Sequence, residues 1–148
     1  MTASLESQIR TRAFARVLGP FLVLVPGIII VRAPDIQLIL HSFFQNEILV
    51  WFAGAFLLFC GLLIIAFHQY WSSAAAVMIS LFGWFLALRG LLLLVAPQLI
   101  AQGADAALRF LPAVRIGFFL LVVVGLWLTY VGWLVKISEK TRNSQPLT

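Results

Sequence analysis

The chain has 148 residues, of which 63% are hydrophobic and 10% are charged, and its mean hydropathy is +1.08. Soluble domains are nearer half apolar and a quarter charged, and a domain of this length cannot bury so much apolar surface in water. The formal charge of +5 comes from arginines and lysines that flank apolar runs, whereas nucleic-acid binding needs a clustered basic face. The composition therefore predicts a single integral membrane domain, 1–148, and argues against nucleic-acid binding.

The first apolar run predicts a span over Ala13–Val31, after a polar tail formed by residues 1–12. Only fifteen residues separate Arg16 from Arg32, and at 1.5 Å per residue they fall short of a hydrocarbon core of about 30 Å. Both arginines are therefore expected to snorkel, or the bilayer to thin. A secretory signal peptide is the alternative, because a basic flank precedes a short apolar core, although no A-x-A cleavage site follows.

Three further apolar runs are long enough to cross a bilayer, at Ile48–Phe67, Ala74–Val95 and Ala113–Val135. The stretches Asp35–Asn46 and Gln98–Leu111 separate apolar from polar residues on opposite helical faces, a pattern typical of helices that lie in the membrane interface. The second and third spans are joined by a short uncharged link, so we expect them to be antiparallel neighbours. A second polar tail follows at 137–148.

The two halves of the chain resemble each other at an offset of 63 or 64 residues. The matched pairs include Gly19 with Gly83, Leu22 with Leu86, Pro34 with Pro97, and Gly61 with Gly125. These matches predict a duplicated hairpin, with one repeat at 13–71 and the other at 74–136. A unit with two spans keeps its orientation when it is copied, so an axis along the membrane normal is expected to relate the halves.

A stripe of small residues runs along the third span at spacings of 4, 3, 4 and 3. Its members are Ala76, Ser80, Gly83, Ala87 and Gly90. Such a stripe lets helix backbones approach closely in lipid. It predicts packing against the second or fourth span, or alternatively a contact with another copy or a larger complex.

Arg89 lies roughly opposite this stripe, in the second half of the third span. An arginine at the centre of a spanning helix costs about 2.5–3.5 kcal/mol. It is six residues, about 9 Å, from Val95, and helical side chains tilt towards the N-terminus, here towards the middle of the bilayer. Snorkelling is therefore awkward, and the alternatives are a pairing with Glu47 at the mouth of the second span, an anionic lipid headgroup or a partner subunit.

No motif in the sequence indicates catalysis or metal binding. His41 and His68 fall at opposite ends of the second span, so they cannot share a metal or a haem and are expected to be interface histidines. The single Cys60 forms no disulfide within one chain. The sequence has no Ser/His/Asp set, no paired carboxylates in a span and no glycine-rich phosphate loop. We therefore expect no enzyme activity, no metal and no cofactor.

Glycines, prolines and one arginine form a pattern across the second half, from about Leu86 to Tyr130. Its members are Gly90, Pro97, Leu111, Pro112, Arg115, Gly117 and Gly125. In this order they resemble the small bacterial inner-membrane hairpin proteins of the YjeT type. Those proteins tend to have an acidic residue where Arg89 stands, and a more basic loop. The resemblance implies a location in the inner membrane and no defined activity.

Lysines and arginines near the spans predict the orientation, because they are more frequent on the cytoplasmic side. The two tails, with the span ends that adjoin them, hold six of them, and the two interfacial loops, with the span ends that adjoin them, hold three. Those on the side of the tails are Arg10, Arg12, Arg16, Lys136, Lys140 and Arg142, and those on the side of the loops are Arg32, Arg109 and Arg115. Both termini are therefore expected in the cytoplasm, with the chain in the inner (plasma) membrane.

The sequence thus predicts an all-α bundle of four transmembrane helices, built from two duplicated hairpins that each carry an interfacial amphipathic helix. The expected function is an accessory, assembly or structural subunit that packs through helix–helix contacts against a partner or a second copy. A small transporter is an alternative, although polar residues inside the spans are nearly limited to Ser80, Arg89 and Thr129. A lipid- or quinone-binding protein that uses aromatic residues and Arg89 is a further alternative.

Overall fold

The computed structural model describes residues 2–68, 70–71 and 73–134, with side chains from Ser7 onward. This part of the chain is almost entirely helical and contains no strand. A short 3₁₀ turn, Ala33–Asp35, precedes the second helix. The helices are α1 (Thr2–Val31), α2 (Ile36–Gln45), α3 (Glu47–Phe67), α4 (Ala74–Val95), α5 (Pro97–Leu108) and α6 (Leu111–Trp133).

Four of these helices, α1, α3, α4 and α6, are long and apolar enough to cross a membrane. The expected all-α, four-span fold is therefore confirmed. α1 differs from the prediction because it begins at Thr2, so the predicted polar tail forms its first turns. Its span covers 25 residues, Ser7–Val31, which rise about 37 Å and exceed the hydrocarbon core of about 30 Å. The predicted tail at 137–148 lies outside the described residues.

The four spans pack as two close antiparallel pairs. α1 packs along α6, and α3 packs along α4, which confirms that the second and third spans are neighbours. α1 also touches α4, whereas the two spans within each predicted repeat, α1 with α3 and α4 with α6, make few contacts. We call the end of the bundle where α1 begins and α6 ends the terminal end, and the end with α2 and α5 the loop end.

Small residues set the distance between α3 and α4. A Cβ atom added at Gly61 would overlap the backbone of Ala87, and one added at Gly90 would overlap the backbone of Leu58. Because a side chain at either glycine would push the helices apart, α3 and α4 meet backbone to backbone.

The pair formed by α1 and α6 repeats this arrangement. A Cβ atom added at Gly125 would lie 2.8 Å from the backbone nitrogen of Val23. Gly125 and Val23 stand 64 positions from Gly61 and Ala87 respectively, so equivalent residues meet in the two pairs. A pseudo-twofold axis along the bundle would produce this recurrence, although the duplication itself stays a prediction.

We expect Gly61→Ala to destabilise the fold, because the added methyl group would overlap the backbone of Ala87 and overpacking costs about 1–3 kcal/mol. Gly117→Ala on α6 is the matched control, since nothing lies within 4 Å of its Cβ position and alanine is the better helix former. Thermal unfolding in detergent, followed by circular dichroism, compares the two variants. An equal loss of Tm in both variants would contradict the close approach of α3 and α4.

Candidate functional site

A cluster of polar side chains is buried at the terminal end, where α1, α3 and α4 meet. His68, the residue that follows α3, has 0% of its surface exposed. Its Nε2 lies 3.0 Å from Oγ1 of Thr11 on α1, and its Nδ1 lies 3.3 Å from Oγ of Ser80 on α4. One imidazole ring therefore connects all three helices.

The hydrogen bonds of this cluster fit a neutral imidazole. Ser80 Oγ donates to the main-chain carbonyl oxygens of His68 and Tyr70, at 3.1 and 3.2 Å. Its oxygen is then free to accept from Nδ1–H, while Nε2 accepts from the Thr11 hydroxyl. Burial lowers the pKa of His68 below its ordinary value, because desolvation disfavours the charged ring, and a backbone hydrogen bond opposes this only in part.

Sequence reasoning treated His68 as an ordinary interface histidine, and its burial was missed. The available signals were Thr11, a polar residue near the end of the predicted N-terminal tail, and Ser80, the one hydroxyl in the stripe of small residues. Both lie on faces that the fold turns inward.

Two arginines of α1 bind the end of α6. The Nε atoms of Arg12 and Arg16 donate to the carbonyl oxygen of Gly132 at 3.0 and 2.9 Å. The Arg16 guanidinium also lies 5.6 Å from the centre of the Trp133 ring. Because the C-terminal end of a helix carries partial negative charge, both arginines stabilise the pairing of α1 with α6.

The stripe of small residues on α4 is buried within the chain. All five of its members are buried, with Ala76 at 0% exposure. Gly83 and Ala87 lie against α3 at Ile64 and Gly61, and Gly90 lies against α3 as well. The stripe therefore faces α3 rather than the surrounding lipid.

Arg89 is exposed on the outer surface of α4. Within the ranges that the structure describes, its guanidinium forms neither an ion pair nor a hydrogen bond, so the pairing with Glu47, one of the alternatives considered for Arg89, is not formed. An ion pair joins the neighbouring charges Arg32 and Asp35 at the loop end, with 4.0 Å between nitrogen and oxygen.

Glu47 lies at the start of α3 and is also exposed. It borders a cavity of about 280 Å³ where the α2–α3 junction meets the α4–α5 junction. Phe44, Trp51 and Gln98 are among the other residues that line this cavity. Glu47 and Arg89 thus occupy separate places in the fold, and the structure does not bring them together as one site.

Two apolar grooves open towards the lipid, one between α1 and α3 and one between α4 and α6. Groove A, with α4 at its base, has a volume of about 520 Å³, and its lining includes Phe14, Val17, Phe21, Phe56, Cys60 and Phe82. Groove B, with α1 at its base, has a volume of about 280 Å³, and its lining includes Met78, Phe82, Phe85, Leu121, Val124 and Leu128. The grooves exist because neither α1 and α3 nor α4 and α6 pack closely.

The chain matches no protein-family model, no curated protein and no solved structure. The resemblance to the YjeT-type proteins therefore stays a prediction. Among the described residues, no group of three or more His, Cys, Asp or Glu side chains is placed to hold a metal ion. The architecture is that of a multi-pass membrane protein, and its outer surface carries the two apolar grooves and the exposed Arg89.

We expect the protein to lose stability as the pH falls below about 6.5, the ordinary pKa of histidine. The folded-state pKa of His68 is lowered, so in this range the unfolded chain binds a proton that the buried ring does not, and unfolding is favoured. The contribution of the neutral, buried His68 to stability is fully present above the pKa of histidine in the unfolded chain. It is lost as the pH falls from there towards the lower pKa of the folded state. Tm measured in detergent between about pH 8 and about pH 5.5 checks this.

His68→Gln should show a weaker dependence of Tm on pH, because the glutamine does not titrate. His41→Gln is the control, since His41 is exposed on α2 and its replacement should leave the dependence unchanged. The same slope in wild type and His68→Gln would contradict the role assigned to the buried ring.

Proposed function

We propose that this chain is an accessory or assembly subunit that holds a membrane-spanning helix of a partner in groove A. Helices associate in lipid through close van der Waals packing, and groove A offers a long apolar cleft between α1 and α3. The open groove is the observation that carries the proposal. If all four helices packed closely against their neighbours, a partner helix could contact only the side chains on the outer surface of the bundle.

The size and lining of groove A favour a protein helix. Its volume of about 520 Å³ is nearly twice that of groove B, at about 280 Å³. Phenylalanine rings from three helices reach into it, among them Phe21 and Phe56, which are 48% and 58% exposed. Aromatic side chains in such clefts are frequent anchors of protein–protein contacts.

An aromatic ridge on α3 extends this surface. Phe52, Phe56 and Phe59 follow one another at spacings of 4 and 3 on the outer face of α3, all more than half exposed. The rings of Phe52 and Phe56 stack with 6.4 Å between their centres. The positions 64 residues later on α6 are Ile116, Leu120 and Val123. The equivalent face of α6 crosses the membrane with aliphatic residues alone, so crossing does not by itself require the aromatic residues of α3. Their presence favours a protein contact that is specific to α3.

The distribution of polar groups bears on the transporter alternative. Inside the bundle, the polar side chains of Thr11, His68 and Ser80 are hydrogen-bonded to one another at the terminal end, and both grooves are apolar. This arrangement favours an accessory role over a solute path. The arginine and lysine distribution and the YjeT resemblance support placing the protein in a bacterial inner membrane with both termini in the cytoplasm.

Cys60 provides the test, because it lines groove A and is the one cysteine in the chain. A photo-crosslinker attached to Cys60 in native membranes should yield an adduct with one defined protein, either a partner or a second copy. The same protein should co-purify stoichiometrically in mild detergent. Adducts with lipid alone, together with purification as a clean monomer, would overturn the proposal.

The double variant Phe21→Ala/Phe56→Ala should reduce this adduct several-fold, because it removes two of the rings that line groove A. Leu120→Ala is the matched control, since Leu120 stands 64 positions after Phe56 and is 57% exposed on α6. Equal crosslinking in both variants would show that the rings of groove A do not bind the partner.

A further inference from the structure

Arg89 is placed within the hydrocarbon core of the membrane. The α4 span, Ala74–Val95, covers 22 residues, and its midpoint falls between Trp84 and Phe85. Arg89 stands four to five residues beyond this midpoint, about 7 Å at 1.5 Å per residue, whereas the core extends about 15 Å to either side of the midplane. Helical Cβ atoms point towards the N-terminus, so the side chain is directed back towards the midplane. The lipid phosphates at the loop end therefore lie in the opposite direction from the one that the guanidinium takes.

The chain places no carboxylate of its described spans at the depth of Arg89. All five of its acidic residues lie outside these spans or at their ends. Glu47, the first residue of the α3 span, is ten residues from the midpoint at Leu57, which is about 15 Å and reaches the edge of the core. A second copy of the chain would carry its acidic residues at the same depths, so it does not supply the missing counter-charge. The five are Glu6, Asp35, Glu47, Asp105 and Glu139.

Groove B leads directly to Arg89. On α4 the groove is lined by Met78, Phe82 and Phe85, at spacings of 4 and 3. Arg89 follows Phe85 at a spacing of 4, and residues at these spacings share one face of a helix. The groove occupies the half of the membrane on the side of the terminal end, and Arg89 stands one turn beyond it, just across the midplane. A helix seated between α4 and α6 would therefore pass Arg89 as it crosses the middle of the bilayer.

We propose that groove B and Arg89 bind a membrane-spanning helix of a different protein, one that carries an aspartate or a glutamate near its middle. The carboxylate pairs with the guanidinium of Arg89, whose planar set of donors suits bidentate binding of carboxylate oxygens. Ionisable residues inside spans usually pair with one another in this way. The side chains of α4 and α6 pack on the two sides of the bound helix. This contact is independent of the partner proposed for groove A.

Groove A is an internal control for this assignment. The position 64 residues before Arg89 is Val25, so groove A has an equivalent wall without the charge. Leu57 lines groove A and Leu121 lines groove B. These two leucines also stand 64 positions apart, each near the middle of its span. They therefore offer matched reporter positions at the same depth in two grooves that differ in the presence of an arginine.

The experiment measures quenching of a bimane fluorophore by designed membrane-spanning peptides. The label is attached to Leu121→Cys for groove B or to Leu57→Cys for groove A, each in a Cys60→Ala background, and the protein is placed in phosphatidylcholine liposomes. The peptides are leucine–alanine helices with a nitroxide near the middle and either a glutamate or a glutamine at the central position. We expect the glutamate peptide to quench the groove B label several-fold more strongly than the glutamine peptide does, and the groove A label equally.

Variants of Arg89 separate pairing of charges from a change of shape. Arg89→Leu should abolish the preference for the glutamate peptide, and Arg89→Lys should keep part of it. Arg89→Glu should reverse the preference, so that a peptide with a central lysine quenches most strongly. Circular dichroism and Tm establish that the variants are folded, and leucine at this position is favourable in a span.

The inference is overturned if both peptides quench the groove B label equally with Arg89 in place, or if the preference persists in Arg89→Leu. Absence of quenching by either peptide would also overturn it, because groove B would then not admit a helix. The preference should survive when phosphatidylglycerol is added to the liposomes, since the phosphate of this lipid lies outside the core. Its loss under that condition would assign Arg89 to an anionic lipid instead of a protein helix.

Discussion

The close approach of helix backbones at Gly61 and Gly125 is the constraint on which the bundle depends. At these positions α3 meets α4, and α6 meets α1, with no side chain between them. A helix that packs backbone to backbone against one neighbour has less surface left to pack against a second one. α1 and α3, and likewise α4 and α6, are therefore left apart, and the two lipid-facing grooves follow directly from the pairing.

At the terminal end, each pair of helices is joined by a side-chain hydrogen bond to a main-chain carbonyl oxygen. The two bonds lie at equivalent positions but have different donors. Ser80 binds the carbonyl oxygen of His68 in one pair, and Arg16 binds that of Gly132 in the other. The residues of the second contact stand 64 positions from those of the first. The buried Ser80 hydroxyl of one pair therefore corresponds to the exposed Arg16 of the other. The grooves differ in the same manner, since Arg89 stands where the other half has Val25.

Length and hydropathy were sufficient to predict the four spans, because a bilayer imposes its thickness on any sequence that crosses it. Periodicity also identified the face of α4 that carries Gly83 and Gly90, but it does not say which helix covers that face. The short link between the second and third spans predicted that α3 and α4 are neighbours, whereas the pairing of α1 with α6 was beyond the sequence. Thr11 and His68 were assigned to a tail and to the interface because polar residues near span ends usually lie there. Their mutual hydrogen bond forms because His68, the residue that follows α3, reaches α1 at the terminal end.

The pairing of helices is tested most directly by disulfide formation from the native Cys60, which lies on α3 next to Gly61. In the structure, α3 packs on α4 and is separated from α1 by groove A. Oxidation in the membrane should therefore join Cys60 to a cysteine introduced by Leu86→Cys on α4 far more readily than to one introduced by Phe21→Cys on α1. The reverse order, or equal yields from the two variants, would contradict both the pairing and the open groove.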